Sequence, residues 1–189
     1  MQRRELINMI AAVTGIAFVG TDALFAAGEA QSKSSKYSDS DIKLFDDVAE
    51  TILPRTDTPG AKDAAVGRFI ARYSEACYEP QHIAILQNGI GDINGQMKKL
   101  HGVNFIHAGE EEKRSLLTTI DTQAKRYAQT LGPLGDDKSP HYFSLLKQLT
   151  LLGFFTSEPG AIRVARYRPV PGKYKGCTPY SKGETFWAW

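Results

Sequence analysis

The chain has 189 residues, 42% of them hydrophobic and 23% charged, with a formal net charge of +2. That ordinary, nearly neutral composition excludes a disordered polyelectrolyte and gives no basis for a nucleic-acid partner. With two cysteines in the whole sequence, no cysteine cluster exists for an iron–sulfur centre.

At the N-terminus, Arg3-Arg4-Glu5-Leu6 precedes an apolar run from Ile7 to Val19 that contains no acidic residue. A twin-arginine pair ahead of such a run resembles a Tat export signal, which carries folded proteins across the bacterial cytoplasmic membrane. An ordinary Sec signal or an uncleaved anchor is the alternative, because Ile7 to Ala27 approaches the ~20 residues that a spanning helix needs. Asp22 argues against a span, as do Thr14, Gly15 and Gly20. Small residues around Ala26, Gly28 and Ala30 offer cleavage positions, so residues 1–30 read as the signal. About 160 residues remain, enough for one domain with a single core.

Residues 31–37 form a polar linker with too little apolar content to pack. Ser38 and Asp41 then have capping-box spacing, with Asp in place of the usual Glu or Gln, and Ile42, Phe45, Val48, Ala49 and Ile52 follow at helical intervals. This helix stops at Leu53-Pro54. The segment from Pro54 to Ala61 is a loop by its prolines and glycine.

A second helix carries Val66, Phe69, Ile70, Tyr73 and Cys77 on one stripe, which places Cys77 in the core. Pro80 opens a third, with Ile83, Leu86, Ile90, Ile93, Met97 and Leu100 inward and Gly102 as C-terminal cap. Gly89, Gly91 and Gly95 within it suggest close approach of another helix. Glu110, Glu111 and Glu112 favour the positive end of a fourth, striped by Leu117, Ile120, Ala124, Tyr127 and Leu131 and ended by Gly132-Pro133. Ser139-Pro140 reads as N-cap and first position of a fifth, with Phe143, Leu146, Leu149 and Leu152 inward and Gly153 at its end. The expected fold is all-α: a compact bundle of about five helices over residues 38–153, followed by an extended tail at 154–189.

That tail is rich in Pro and Gly yet carries Tyr167, Tyr174, Tyr180, Phe186, Trp187 and Trp189. Disordered ends normally have few aromatics, so it should pack on something. It either folds back over its own helices or clamps a partner, where buried aromatic anchors carry much of the binding energy.

No CxxCH for c-type haem, no GxGxxG after a strand, no GxSxG and no HExxH are present. Gly89-Ile90-Gly91 lies inside a helical pattern, not at a dinucleotide-binding turn. His82, His101, His107 and His141 read as surface or loop residues, with a metal or enzymatic site using His101 and His107 as the rival reading. The adjacent Asp46 and Asp47 read as a solvated face rather than a catalytic dyad. In an oxidising compartment, Cys77 and Cys177 can bond to each other, Cys177 can bond to a partner chain, or both can stay free.

Several segments together resemble the gluconate 2-dehydrogenase subunit 3 family, the small subunits of membrane-bound, flavin-dependent sugar and sugar-acid dehydrogenases. They are the Tat-like start, Ile52-Leu53-Pro54-Arg55-Thr56-Asp57-Thr58-Pro59-Gly60-Ala61 with Phe69-Ile70, Leu145 to Thr150, Gly153 to Glu158, and Tyr167-Arg168-Pro169-Val170-Pro171-Gly172-Lys173-Tyr174-Lys175-Gly176-Cys177. The resemblance implies a non-catalytic subunit, with no cofactor of its own, bound to a large FAD-containing subunit and in some complexes to a multi-haem cytochrome c. It further implies that Arg3 and Arg4 export the flavoprotein to the periplasm as a folded passenger. On that reading Tyr167, Pro169, Pro171, Tyr174, Cys177 and Trp187 are the expected partner contacts. A free-standing periplasmic enzyme or binding domain is the alternative.

Overall fold

The computed structural model describes residues 35–130, 139–170, 172–173, 177, 179 and 181–188. Residues 1–34, and with them Arg3, Arg4 and the signal, lie outside the described residues, as do Leu131, Gly132-Pro133, Pro171 and Tyr174. Five α-helices follow one another: α1 (Asp39–Ile52), α2 (Val66–Cys77), α3 (Pro80–His101), α4 (Glu110–Thr130) and α5 (Tyr142–Phe155). Short 3₁₀ turns at Lys62–Ala64 and Phe105–His107 connect them, and a π-helix, Pro159–Val164, follows α5. Two-residue strands β1 (Arg166–Tyr167) and β2 (Trp187–Ala188) pair in parallel, with Arg166 opposite Trp187. The all-α expectation therefore holds, with these two strands as a small addition to the tail.

The helix starts and stops follow local chemistry. The Ser38 backbone N–H donates to the Asp41 carboxylate at 2.9 Å and the Asp41 N–H to the Ser38 hydroxyl at 3.3 Å, a complete capping box. Pro80 occupies the first turn of α3, and Gly102 ends it in the left-handed region at φ 74°. The polar linker ends earlier than its composition suggests. Tyr37 is buried, sets its ring edge-on to Phe45 and has its phenol within 3.2 Å of the Ser74 hydroxyl. A single well-placed aromatic ring packs where the average hydropathy of a window predicts none.

The most apolar helix, α5, touches each of the other four. A helix that is hydrophobic on nearly every side belongs at the centre of a bundle. Around it Phe45, Ile70, Met97, Phe105, Ile120 and Leu149 are all fully buried. Gly89 of α3 meets α5 directly, since a β-carbon there would stand 2.5 Å from the Tyr142 ring. Gly91 and Gly95 face open space, so the close approach expected of all three glycines is confined to the first.

Two boundaries of α5 differ from expectation. The helix runs past Gly153 to Phe155, and its N-cap is His141 rather than Ser139, the imidazole Nδ1 accepting from the Phe143 N–H at 3.1 Å. An unprotonated Nδ1 satisfies one of the orphan donors of the first turn as an Asn oxygen would. Burial holds the His141 pKa below its ordinary value, against an opposing pull from Asp92. A depressed folded pKa means the neutral cap contributes stability above the ordinary histidine pKa, and loses it as pH falls through the lowered one. We therefore expect the melting temperature to fall between pH 7 and pH 5, by the equivalent of about 1 kcal/mol for a lost cap. In a thermal-denaturation series His141→Asn should flatten that slope, and an unchanged slope would rule out the histidine cap as its origin.

Asp46 and Asp47 are not a solvated face. Asp47 is 8% exposed and ion-paired to Lys62 and, at 3.9 Å, to Lys113, which is itself 6% exposed. Half-buried Asp46 accepts the Gly67 N–H at 2.7 Å, at the positive N-terminus of α2. Burial still raises the Asp46 pKa, opposed by the Gly67 hydrogen bond and by Lys62. Being adjacent, the two carboxylates diverge around α1, and each meets a different element that comes later in the chain.

Candidate partner-docking surface

The loop between α1 and α2 is held by two carboxylates. Glu50 accepts the Arg55 N–H at 2.9 Å and the Lys62 N–H at 2.8 Å. Asp63 accepts the Gly60 N–H at 2.9 Å and a two-pronged Arg55 guanidinium at 2.9 and 2.5 Å. The Gly60 hydrogen bond, followed by Arg55 and Arg163, holds the Asp63 pKa below the usual carboxylate range. With its ends tied in this way, the loop presents Thr56, Asp57 and Thr58 to solvent on a constrained frame.

Arg163 belongs to the π-helix, which touches the 3₁₀ turn at Lys62–Ala64, so the loop and the start of the tail lie side by side. Further along, the Arg166 N–H donates to the Phe186 carbonyl at 2.8 Å and its guanidinium meets Glu184 at 2.9 Å. Phe186 packs edge-on against Phe155 at 5.5 Å. The guanidiniums of Arg166 and Arg168 lie over the Trp187 ring, 5.3 and 6.0 Å from its centre. This part of the tail thus folds back on its own body, while Ile162, Tyr167, Val170, Phe186 and Trp187 remain exposed. Exposed apolar residues gathered in one segment, with arginines beside them, have the composition of an interface core.

Of the residues expected to make partner contacts, the ladder brings Tyr167 and Trp187 onto neighbouring strands. Pro169 and Cys177 are exposed elsewhere in the tail. The two cysteines are free and both exposed, so the structure contains no Cys77–Cys177 bond. Cys77 is not in the core as its spacing suggested. The buried side of α2 is Val66, Gly67, Ile70, Ala71 and Ser74; the small Gly67, Ala71 and Ser74 let α1 approach, which leaves Phe69 and Tyr73 half-buried at the edge and Cys77 exposed. Hydrophobic spacing favours the larger residues, and nothing in it flags a face built from Gly, Ala and Ser.

His101 Nδ1 stands 3.2 Å from Glu112, while His107 sits exposed on its 3₁₀ turn and His82 stacks edge-on with Tyr78. Among the described residues no group of three or more His, Cys, Asp or Glu is placed to hold a metal ion. Gly89-Ile90-Gly91 lies within α3 and not at a strand-to-helix turn, as its helical spacing suggested. Among the described residues no helix is long and apolar enough to cross a membrane.

The helical body thus displays a braced loop beside a tail with exposed aromatic residues. Residues 39–172 match the family model for gluconate 2-dehydrogenase subunit 3, and the chain belongs to that family. It is accordingly a subunit of a dehydrogenase complex. Comparison with curated proteins and with solved structures finds no match.

Proposed function

We propose that this chain is the non-catalytic small subunit that exports, matures and stabilises the FAD-containing catalytic subunit of a periplasmic sugar or sugar-acid dehydrogenase. The observation that supports the reading is family membership together with the exposed aromatic residues of the tail. Arg3 and Arg4 then act for a folded passenger whose cofactor requires the Tat route. Tyr167, Pro169, Pro171, Tyr174, Cys177 and Trp187 grip that passenger, and the complex associates with the inner membrane. A multi-haem cytochrome c completes the path for electrons in complexes that contain one.

The test is to replace Arg3 and Arg4 with Lys and follow both subunits by fractionation and by FAD-dependent dehydrogenase activity. Both subunits should be stranded in the cytoplasm, with periplasmic activity lost. Active flavoprotein in the periplasm of that variant would refute the passenger role.

A further inference from the structure

Helix α2 has a second apolar stripe that this chain covers only in part. Ala65, Phe69, Tyr73, Ala76 and Cys77 recur at intervals of three and four residues and floor an open groove of about 440 Å³ along its outer side. Phe69 and Tyr73 stack at 5.3 Å, which sets their rings as a shelf. The Phe69 ring also lies against Gly153 of α5, where a β-carbon would come within 2.5 Å. The shelf is therefore positioned by the core before anything docks.

Arg68 and Arg72, four residues apart, line the same groove, are exposed, and form no ion pair or hydrogen bond among the described residues. Arg68 feels the half-buried Asp46, whose oxygen is already committed to Gly67. Like charges at this spacing repel each other and weaken an isolated helix. The arrangement becomes favourable when carboxylates arrive from outside, because guanidinium groups beside aromatic faces are suited to bidentate carboxylate recognition.

We propose that this groove receives an acidic amphipathic helix of the catalytic subunit, with two carboxylates one turn apart on Arg68 and Arg72 and apolar residues over Phe69 and Tyr73. The site is separate from the tail, although the identity of its occupant rests on the proposed function. A helix is favoured over a lipid surface because the shallow groove is bordered by only two cations, Arg68 and Arg72, and runs along a helix of twelve residues, about 18 Å at 1.5 Å per residue. Membrane-surface elements instead present a broad apolar face with many cations.

Position 77 at the end of the groove supplies the reporter. The full chain, with Cys177 retained and photoreactive p-benzoylphenylalanine in place of Cys77, is assembled with its catalytic subunit, and assembly is measured by co-elution in size-exclusion chromatography. Irradiation should join position 77 to the catalytic subunit within a segment bearing acidic residues four apart. Arg68→Glu with Arg72→Glu should abolish that crosslink and weaken assembly at least tenfold, with helical circular dichroism unchanged. Should the reversed charges disturb the fold, the milder Arg68→Ala/Arg72→Ala pair is expected to weaken assembly in the same direction. An intact complex without the crosslink, or a crosslink to a second copy of this chain, would overturn the proposal while leaving the export role standing. So would selective capture of anionic phosphatidylglycerol vesicles through the two arginines. Failure of any flavoprotein to co-elute with the parent chain would remove both.

Discussion

Replacing Asp47 with Ala should lower the stability of the folded chain by about 3–5 kcal/mol, because it strips the counter-charge from a lysine that cannot reach water. Lys113 is 6% exposed, lies 5.8 Å from the centre of the Phe105 ring, and keeps only the Glu110 carboxylate at 3.6 Å as partner once Asp47 is gone. Glu110 is itself exposed to solvent, so its attraction is screened. Lys62 loses the same partner but is half exposed and can turn outward. For a domain of this size the loss corresponds to roughly 10–15 °C in melting temperature. Asp57→Ala, on the exposed loop tip, should shift stability by under about 0.5 kcal/mol. A second variant separates the worth of the pair from the penalty of orphaning one member. Asp47→Leu together with Lys113→Met should recover most of the loss, since well-packed apolar replacements of a buried ion pair are often close to neutral. A denaturation midpoint for Asp47→Ala within 1 kcal/mol of the parent would show that Lys113 finds another partner.

The second large effect is expected at Gly160→Ala. The added methyl group would overlap the carbonyl oxygen of Phe154, a backbone atom fixed by the end of α5. That oxygen already accepts from the Ser157 hydroxyl at 2.6 Å and from the Ser157 N–H at 3.1 Å. Rotating a side chain relieves nothing here, so the turn itself must open, breaking the Ala165 N–H to Gly160 carbonyl bond of 3.0 Å that defines the π-helix. The damage stays local because the core contacts of α1 to α5 lie elsewhere. Far-ultraviolet helical signal should be kept, while trypsin cuts much faster after Arg163 and Arg166. Tyr167 and Trp187, on the two paired strands, lose their common anchor, so assembly with the proposed catalytic subunit should fall at least tenfold. A tryptic pattern like that of the parent would mean that the turn tolerates the methyl group and that the tail does not hang from Gly160.

Much of the bundle was legible because its signals are local. Ser38 with Asp41, Pro80 and Gly102 each act on the chain within one turn of themselves, and all three do so in the structure. The resemblance to the family rested on ordered segments from Ile52 to Cys177, and family membership over residues 39–172 agrees with it. The misreadings share a cause, which is dependence on a distant partner. Asp46 and Asp47 are buried by Gly67, Lys62 and Lys113, none of them within helical reach in sequence. Tyr37 is buried by Phe45 and Ser74. The exposure of Cys77 follows from the small residues on the buried side of α2, which a search for large apolar side chains passes over. His141 became the cap because the helix starts two residues later than Ser139-Pro140 proposes, with Tyr142 donating its hydroxyl to Asp92 at 2.6 Å.

The fastening of Lys36 and Tyr37 bears on proteolytic maturation. The Lys36 N–H donates to the Glu75 carboxylate at 2.6 Å, its carbonyl accepts from the Gln87 side chain at 2.9 Å, and the next residue is plugged into the core. A processing peptidase takes its substrate as an extended strand lifted free of other contacts. Once the domain has folded, a peptidase acting at this boundary must first prise Tyr37 out to cut between Lys36 and Ser38. Removal of the proposed signal from a folded chain is thereby confined to the residues before Lys36, whichever small residue the peptidase prefers.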